Sequence, residues 1–276
     1  MSTRLVVNAD DLGLHPRIDE GILRAHAEGI VTSASALATG KNLSEALARA
    51  RAQKLGVGAH LTVCSSLEPA ARPSEVRWLA PGGRLRKNWR EFAQAWLGQL
   101  IPAEEVLLEL RAQVARIESH GVKVDHLDTH QHVHLLPGMA RLVEQLAAEL
   151  QVPLRWPLEL PRLRWARAVP AAAKSVVLSA LSTLRPGREA KRVRAVGAAQ
   201  SGRLTERRLL RIIDALPSGD VELMCHPGLA PGVIAEDPSW RYGWEEELAA
   251  LTSPRVRDRL ASKNVTLATY AELSRA

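Results

Sequence analysis

Four of the chain's nine histidines fall in one stretch, V-D-H-L-D-T-H-Q-H-V-H-L-L-P from Val124 to Pro137. His126, Asp128, His130, His132 and His134 occupy every second position, which on an extended backbone places all five side chains on one face. Imidazoles and a carboxylate in such a row are metal-ligand chemistry. One ion cannot take the whole row, because same-face neighbours stand roughly 6.5 Å apart along a strand while ligand atoms approach an ion to about 2 Å. The rest of a ligand set must come from elsewhere in the chain.

Other reactive residues stand at the ends of short apolar runs. Arg4 to Ala9 runs into Asp10-Asp11, Leu55 to Leu61 carries His60 at its end, a piece beginning at Leu154 reaches Arg155-Trp156-Pro157, and Val221 to Cys225 precedes His226-Pro227-Gly228. Consecutive carboxylates point in different directions on a strand, so one of Asp10 and Asp11 could bind a metal while the other faces a reacting water. The same pair reads equally as a cap or turn ahead of Leu12-Gly13. An Asp and two His from separate strands make three protein ligands and leave positions for water, the pattern of a catalytic metal site. A metal there would polarise a carbonyl and acidify its water. A carboxylate could then take the water's proton and a histidine on the opposite side could protonate the leaving group. These parts describe metal-assisted hydrolysis of an amide or ester.

Two other readings use the same residues. A phosphoesterase would share the metal site, although no clustered basic motif for phosphate stands at a strand end. A non-catalytic metal- or sugar-binding protein would not need Asp10. Cys64 and Cys225 lie close in sequence to His60 and His226, so a thiolate ligand is an alternative to reading both as small buried hydrophobes.

The elements that must position these residues alternate. After the first strand, Ile18, Ile22 and Ala25 repeat at helical spacing behind Pro16. Ile30 to Leu37 is strand-like, and Asn42 is placed to cap a helix to about Gln53. Val106, Leu107, Leu110, Val114 and Ile117 mark a helix from Ala103 to His120 that Gly121 stops, and Val122 to Asp128 leads into the histidine row. Pro137 suits the first position of the next helix. Pro170 to Leu184 is apolar and helical, the region from Arg185 to Arg194 is basic and loop-like, Leu204 to Ala215 is helical, and Val265 to Ala268 is a last strand. Repeated strand-then-helix order with reactive residues at five strand ends predicts an α/β fold, an irregular (β/α) barrel with its site at one face, formed by residues 1–276 as one domain. Between Thr62 and Ile101 periodicity weakens while Pro, Gly and tryptophans accumulate, which predicts an inserted loop or lid.

With 276 residues, 46% of them hydrophobic, the chain can bury a sizeable core. Two cysteines make no disulfide scaffold and no charged-then-apolar leader precedes Val6, so a cytoplasmic location is expected. The net charge of +7 could suggest nucleic acid, but with only 4% aromatic residues and no nucleic-acid motif that partner is not expected. A solvated basic face explains the charge, with peripheral membrane association as the lesser reading. A homodimer is compatible with all of this.

N-A-D-D-L-G at 8–13, G-A-H-L at 58–61, H-L-D-T-H-Q-H-V-H at 126–134 and E-L-M-C-H-P-G at 222–228, in that order, resemble the YdjC-like carbohydrate deacetylases, the family that includes chitooligosaccharide deacetylase. The resemblance implies a seven-stranded (β/α) barrel and removal of acetyl from an N-acetylated sugar with one divalent metal ion, Mg²⁺ or Zn²⁺. It places Asp11, His60 and His130 on the family's metal ligands, Asp10 on its general base and His226 on a candidate general acid. Arg155-Trp156-Pro157 is similar to an Arg-x-Pro element of the wider polysaccharide deacetylases, in which the arginine orients the base. Asp128, His126 and His132 are then partners that fix ring orientation, while His134 is either such a partner or catalytic. Leu12 and Thr129 replace the Phe and Ser the family often has. The middle of the chain, about Arg162 to Gln200, matches less well. Being apolar and basic, it would suit an amphiphilic substrate, a sugar attached to a lipid, as in the family's hopanoid-biosynthesis branch.

Overall fold

A computed structural model describes residues 3–157, 191–229 and 242–274. The strands are β1 (Thr3–Leu12), β2 (Ser33–Ala36), β3 (Gly56–Leu61), β4 (Leu127–Thr129), β5 (Leu154–Pro157), β6 (Arg192–Val196), β7 (Gly219–Cys225) and β8 (Val265–Leu267). All pair in parallel. The order β2-β3-β4-β5-β6-β7-β1, closed by pairing of β1 with β2, is the expected seven-stranded ring. β8 stands outside it. On one edge β1 pairs with β7 from Thr3 to Ala9; on the other, Thr3 to Leu5 pair with β8 and Asn8 to Leu12 with β2.

The described helices are α1 (Pro16–Ala27), α2 (Leu43–Ala52), α3 (Trp89–Leu97), α4 (Ala103–Glu118), α5 (Met139–Leu150), α6 (Glu206–Asp214), α7 (Trp244–Leu251), α8 (Pro254–Ser262) and α9 (Tyr270–Ser274). The period of two explains how one ring serves both core and site. Leu5, Val7 and Ala9 of β1, with Val221, Leu223 and Cys225 of β7, join the large apolar core with Ile18, Ile22 and Ala25 of α1. The alternate residues Asn8, Asp10, Ser35, His60, His126, Asp128, Arg155 and Glu222 are buried polar groups inside the ring. Below them Val6, Val193, Ala268, Tyr270 and Leu273 form a second apolar cluster, the floor.

Residues 62–101 are more ordered than their composition predicts. Two 3₁₀ turns, Pro73–Glu75 and Pro81–Gly83, precede α3, whose start is capped by Asn88 accepting from the backbone N–H groups of Arg90 and Glu91. Asn88 with Glu91 three residues on is a helix-start signature that the scarcity of long apolar repeats obscured. Helix α4 pins the segment, Glu109 accepting from the N–H groups of Ala70 and Ala71 and Glu105 from those of Trp78 and Leu79.

Several boundaries differ from the sequence expectation. The strand expected from Val122 is confined to Leu127–Thr129, and Pro137 lies before α5, which begins at Met139 behind Gly138 with φ of 83°. Asn42 occupies the N-cap of α2, but its side chain donates instead to Asp19 Oδ2 at 2.7 Å. The apolar helix expected from Pro170 to Leu184, and most of the poorly matching, basic segment around it, lie outside the described residues.

Candidate active site

The row of alternate histidines does not stay on one face. The extended backbone ends at Thr129, and His130–Leu135 coil into a 3₁₀ turn in which Gln131 and His132 adopt positive φ of 56° and 55°. Only His126 and Asp128 keep the strand alternation. His130 turns toward β3, while His134 turns to Thr129, its Nδ1 lying 2.5 Å from Thr129 Oγ1. The turn is anchored by Gln131 Oε1, which accepts from the N–H of Trp89 at 2.9 Å.

Asp10 and Asp11 do not diverge as on a regular strand either. Asp11 has φ of 73°, and the β1–β2 register slips between Ala9 and Leu12. This bulge re-aims Asp11 into the mouth of the ring beside Asp10. A non-glycine residue held left-handed costs roughly 1–2 kcal/mol, though Asp tolerates it better than most.

Three atoms then converge. Asp11 Oδ1 lies 3.5 Å from His60 Nε2 and 3.6 Å from His130 Nδ1, and the two imidazole nitrogens are 3.2 Å apart. Ligands about 2 Å from a tetrahedral ion stand roughly 3.3 Å from one another. Asp11 Oδ1 is buried with no hydrogen-bond partner, an orphan that an ion would satisfy. The side chains, spacing and donor types of Asp11, His60 and His130 therefore fit one divalent metal ion. Burial alone would push the Asp11 carboxyl up, but the His130 and His60 imidazoles outweigh it and hold it down at about 2. Burial would likewise depress His60, but Asp128, Asp10 and Asp11 hold it up at about 9.

Asp10, His60 and Asp128 form a second group with ligand geometry. Its counter-charge is already present. The Arg155 guanidinium, fully buried, donates from Nη1 to Asp10 Oδ2 at 2.7 Å and from Nη2 to Asp10 Oδ1 at 2.6 Å, and Nη2 also lies 2.7 Å from Asp128 Oδ2 and 2.6 Å from Glu222 Oε1. Burial opposes the charge on Arg155, but Asp10, Asp128 and Glu222 keep it fully protonated. Asp128 in turn sits far below the usual carboxylate range: burial raises it, and Arg155 and His60 pull it down further. As a carboxylate it accepts from His60 Nδ1 at 2.6 Å, which directs Nε2 toward Asp11.

His226 completes the cluster, its Nε2 standing 3.9 Å from Asp10 Oδ2. Its backbone N–H donates to Glu247 Oε2 at 2.6 Å, and its ring meets Tyr242 edge-on with centroids 4.8 Å apart. The loop behind it packs so closely on α1 that Gly21 there must be glycine, since a Cβ on Gly21 would lie 2.3 Å from Gly228 Cα. Gly58 plays the same part inside the ring, where a Cβ would lie 2.2 Å from the His126 ring.

Of the residues singled out from sequence, Asp10, Asp11, His60, Asp128, His130, Arg155 and His226 meet at the carboxyl ends of β1, β3, β4, β5 and β7, all but fully buried. His134 is bonded to Thr129 and lies against Trp156 with ring centroids 5.4 Å apart. Burial holds its imidazole down at about 3, so it is neutral. His132 follows the left-handed turn and packs edge-on to His134. Cys64 and Cys225 are buried thiols, Cys64 pushed up to about 12 by burial and Cys225 within 3.3 Å of the Asn8 carbonyl. Neither belongs to a ligand group among the described residues. Glu222 and Ser35 were not anticipated. A charged residue at the inward position of the apolar run V-E-L-M-C was the available signal for Glu222.

The fold and its residues have close counterparts. A carbohydrate deacetylase of Brevibacillus brevis is 32% identical over 98% of this chain and 99% of its own length. A chitooligosaccharide deacetylase of Salmonella typhimurium is 29% identical over 99% of this chain and all of its own. A crystal structure from Enterococcus faecalis, provisionally named for cellobiose-phosphate cleavage, superposes with a TM-score of 0.81 at 25% identity over 99% of both chains. The model of the YdjC-like proteins matches residues 4–262, and the chain belongs to that family.

Proposed function

We propose that this protein is a metal-dependent hydrolase that removes the acetyl group from an N-acetylated sugar. The observation that carries the reading is the convergence of Asp11, His60 and His130 beside an Asp10 clamped by Arg155. The names of the similar proteins supply the substrate class, an acetylated carbohydrate.

Asp11, His60 and His130 would hold one divalent ion, Mg²⁺ or Zn²⁺, which when bound supplies a Lewis acid for the acetamide carbonyl and lowers the pKa of water. Asp10 acts as general base. Arg155 grips both its oxygens, which fixes the carboxylate in place, and the oxygen nearer His226 faces the cluster. His226 supplies a proton to the departing sugar nitrogen. The water oxygen bonds to the acetyl carbon and the carbon–nitrogen bond breaks, with the water proton passing to Asp10 and the amine proton coming from His226, so the reaction yields acetate and the free amino sugar. Asp128 keeps His60 oriented and its Nδ1 protonated. The buried setting strengthens each of these interactions.

No helix among the described residues is long and apolar enough to cross a membrane. Purified protein loaded with Zn²⁺ or Mg²⁺ should release acetate from N-acetylglucosamine oligosaccharides, and a metal-loaded preparation inert across a broad acetylated panel would overturn the reading.

A further inference from the structure

Tyr270 begins α9, at the opposite end of the ring from the site, and is fully buried in the floor cluster with Val6, Val193, Ala268 and Leu273. A plug needs only apolar bulk. Tyr270 makes two further contacts upward. Its hydroxyl donates to Glu222 Oε2, and its ring stacks on His126 with centroids 3.9 Å apart and planes within 12°.

Each contact starts a chain that ends at the site. Glu222 Oε1 lies 2.6 Å from Arg155 Nη2, and Arg155 holds both oxygens of Asp10. His126 Nε2 lies 3.1 Å from Ser35 Oγ, which lies 2.5 Å from Asp128 Oδ2, and Asp128 Oδ1 fixes His60 at 2.6 Å. Every member of both chains is buried, so neither can exchange its partners for water. We propose that Tyr270 is a positioning residue for the reaction, its hydroxyl acting on Asp10 through Glu222 and Arg155, and its ring acting on His60 through His126, Ser35 and Asp128. The inference rests on the reading of Asp10 as general base and His60 as metal ligand.

The two arms separate by substitution. Tyr270→Phe keeps the ring and removes the hydroxyl; Tyr270→Leu removes both. Zn²⁺ affinity is measured by calorimetry, kcat and KM by acetate release, and rotation of the Arg155 guanidinium by nitrogen NMR. Tyr270→Phe should lower kcat about tenfold with KM and Zn²⁺ affinity within twofold of the parent, and speed guanidinium rotation about tenfold. Tyr270→Leu should in addition weaken Zn²⁺ about tenfold, at the lower end of what loss of a ligand's support costs. If Tyr270→Leu does not fold, Tyr270→Met, longer and more adaptable in shape, carries the same expectation. Parental kcat and guanidinium rotation in Tyr270→Phe would overturn the first arm, and parental Zn²⁺ affinity in the ring-less variant would overturn the second. Should the parent release no acetate at all, the proposed reaction fails, and the calorimetric and NMR readings still decide the role of Tyr270.

Discussion

His60 and Asp128 are joined Nδ1 to Oδ1 at 2.6 Å, and this bond decides which imidazole nitrogen faces Asp11. Asp128→Asn could still accept from His60 Nδ1 but would no longer carry charge. Asp128→Ala would leave the ring unheld. The expected order of Zn²⁺ affinity by calorimetry is parent, Asp128→Asn, Asp128→Ala, the last about 10–100-fold weaker than the parent. Equal affinity in all three would separate His60 from the metal.

Metal binding should release a proton and strengthen with pH. His60 is held up at about 9 in the metal-free site, whereas Asp11, held at about 2, is already ionised. The imidazole must lose its proton to become a ligand, so apparent affinity should rise about tenfold per pH unit below 9 and level off above it. The same shift makes the metal-free protein's stability fullest below about 6.5 and lost as pH rises through 9, because the folded state binds that proton more tightly than the unfolded chain does. Calorimetry in buffers of different ionisation enthalpy measures the proton count, and a pH-independent affinity would contradict the assignment.

Arg155 is the counter-charge for Asp10, Asp128 and Glu222 within a fully buried cluster. Arg155→Met should destabilise the protein by about 3–5 kcal/mol, since it strands buried carboxylates. Arg155→Lys should recover part of the stability but little activity, because an ammonium cannot grip both Asp10 oxygens in the same fork. Urea unfolding and acetate release test the two halves separately, and full activity in Arg155→Lys would show that the fork is dispensable.

Asp11 combines an unusual backbone with the ligand role proposed for it. Asp11→Asn keeps a side chain that tolerates positive φ, so its melting temperature should stay near the parent's while metal binding is lost. Asp11→Gly relieves the backbone and should also fold without binding metal. Retention of stoichiometric Zn²⁺ by either variant, measured by elemental analysis, would remove Asp11 from the ligand set.

Much of this is legible in the residues themselves. Strand-helix alternation with reactive residues at strand ends points to the ring, and the family resemblance to its seven strands; those residues converge because parallel strands bring their ends to one face whatever joins them. Local backbone was less legible. Alternation at His126 to His134 assumed continued extension, and nothing in the residue types of Gln131 or His132 announces a left-handed turn. The support beneath the site was least legible. Tyr270 and Glu222 are 48 residues apart, and their contact depends on how α9 returns under the ring after β8. Periodicity reports faces of single elements, not which buried polar groups from distant elements meet.

The account stands most directly on Asp10. With the protein loaded with Zn²⁺ or Mg²⁺, the rate of acetate release from an N-acetylglucosamine oligosaccharide should fall at least about 100-fold in Asp10→Asn while bound metal stays stoichiometric. An unchanged rate in Asp10→Asn, or no acetate from the metal-loaded parent, would contradict it.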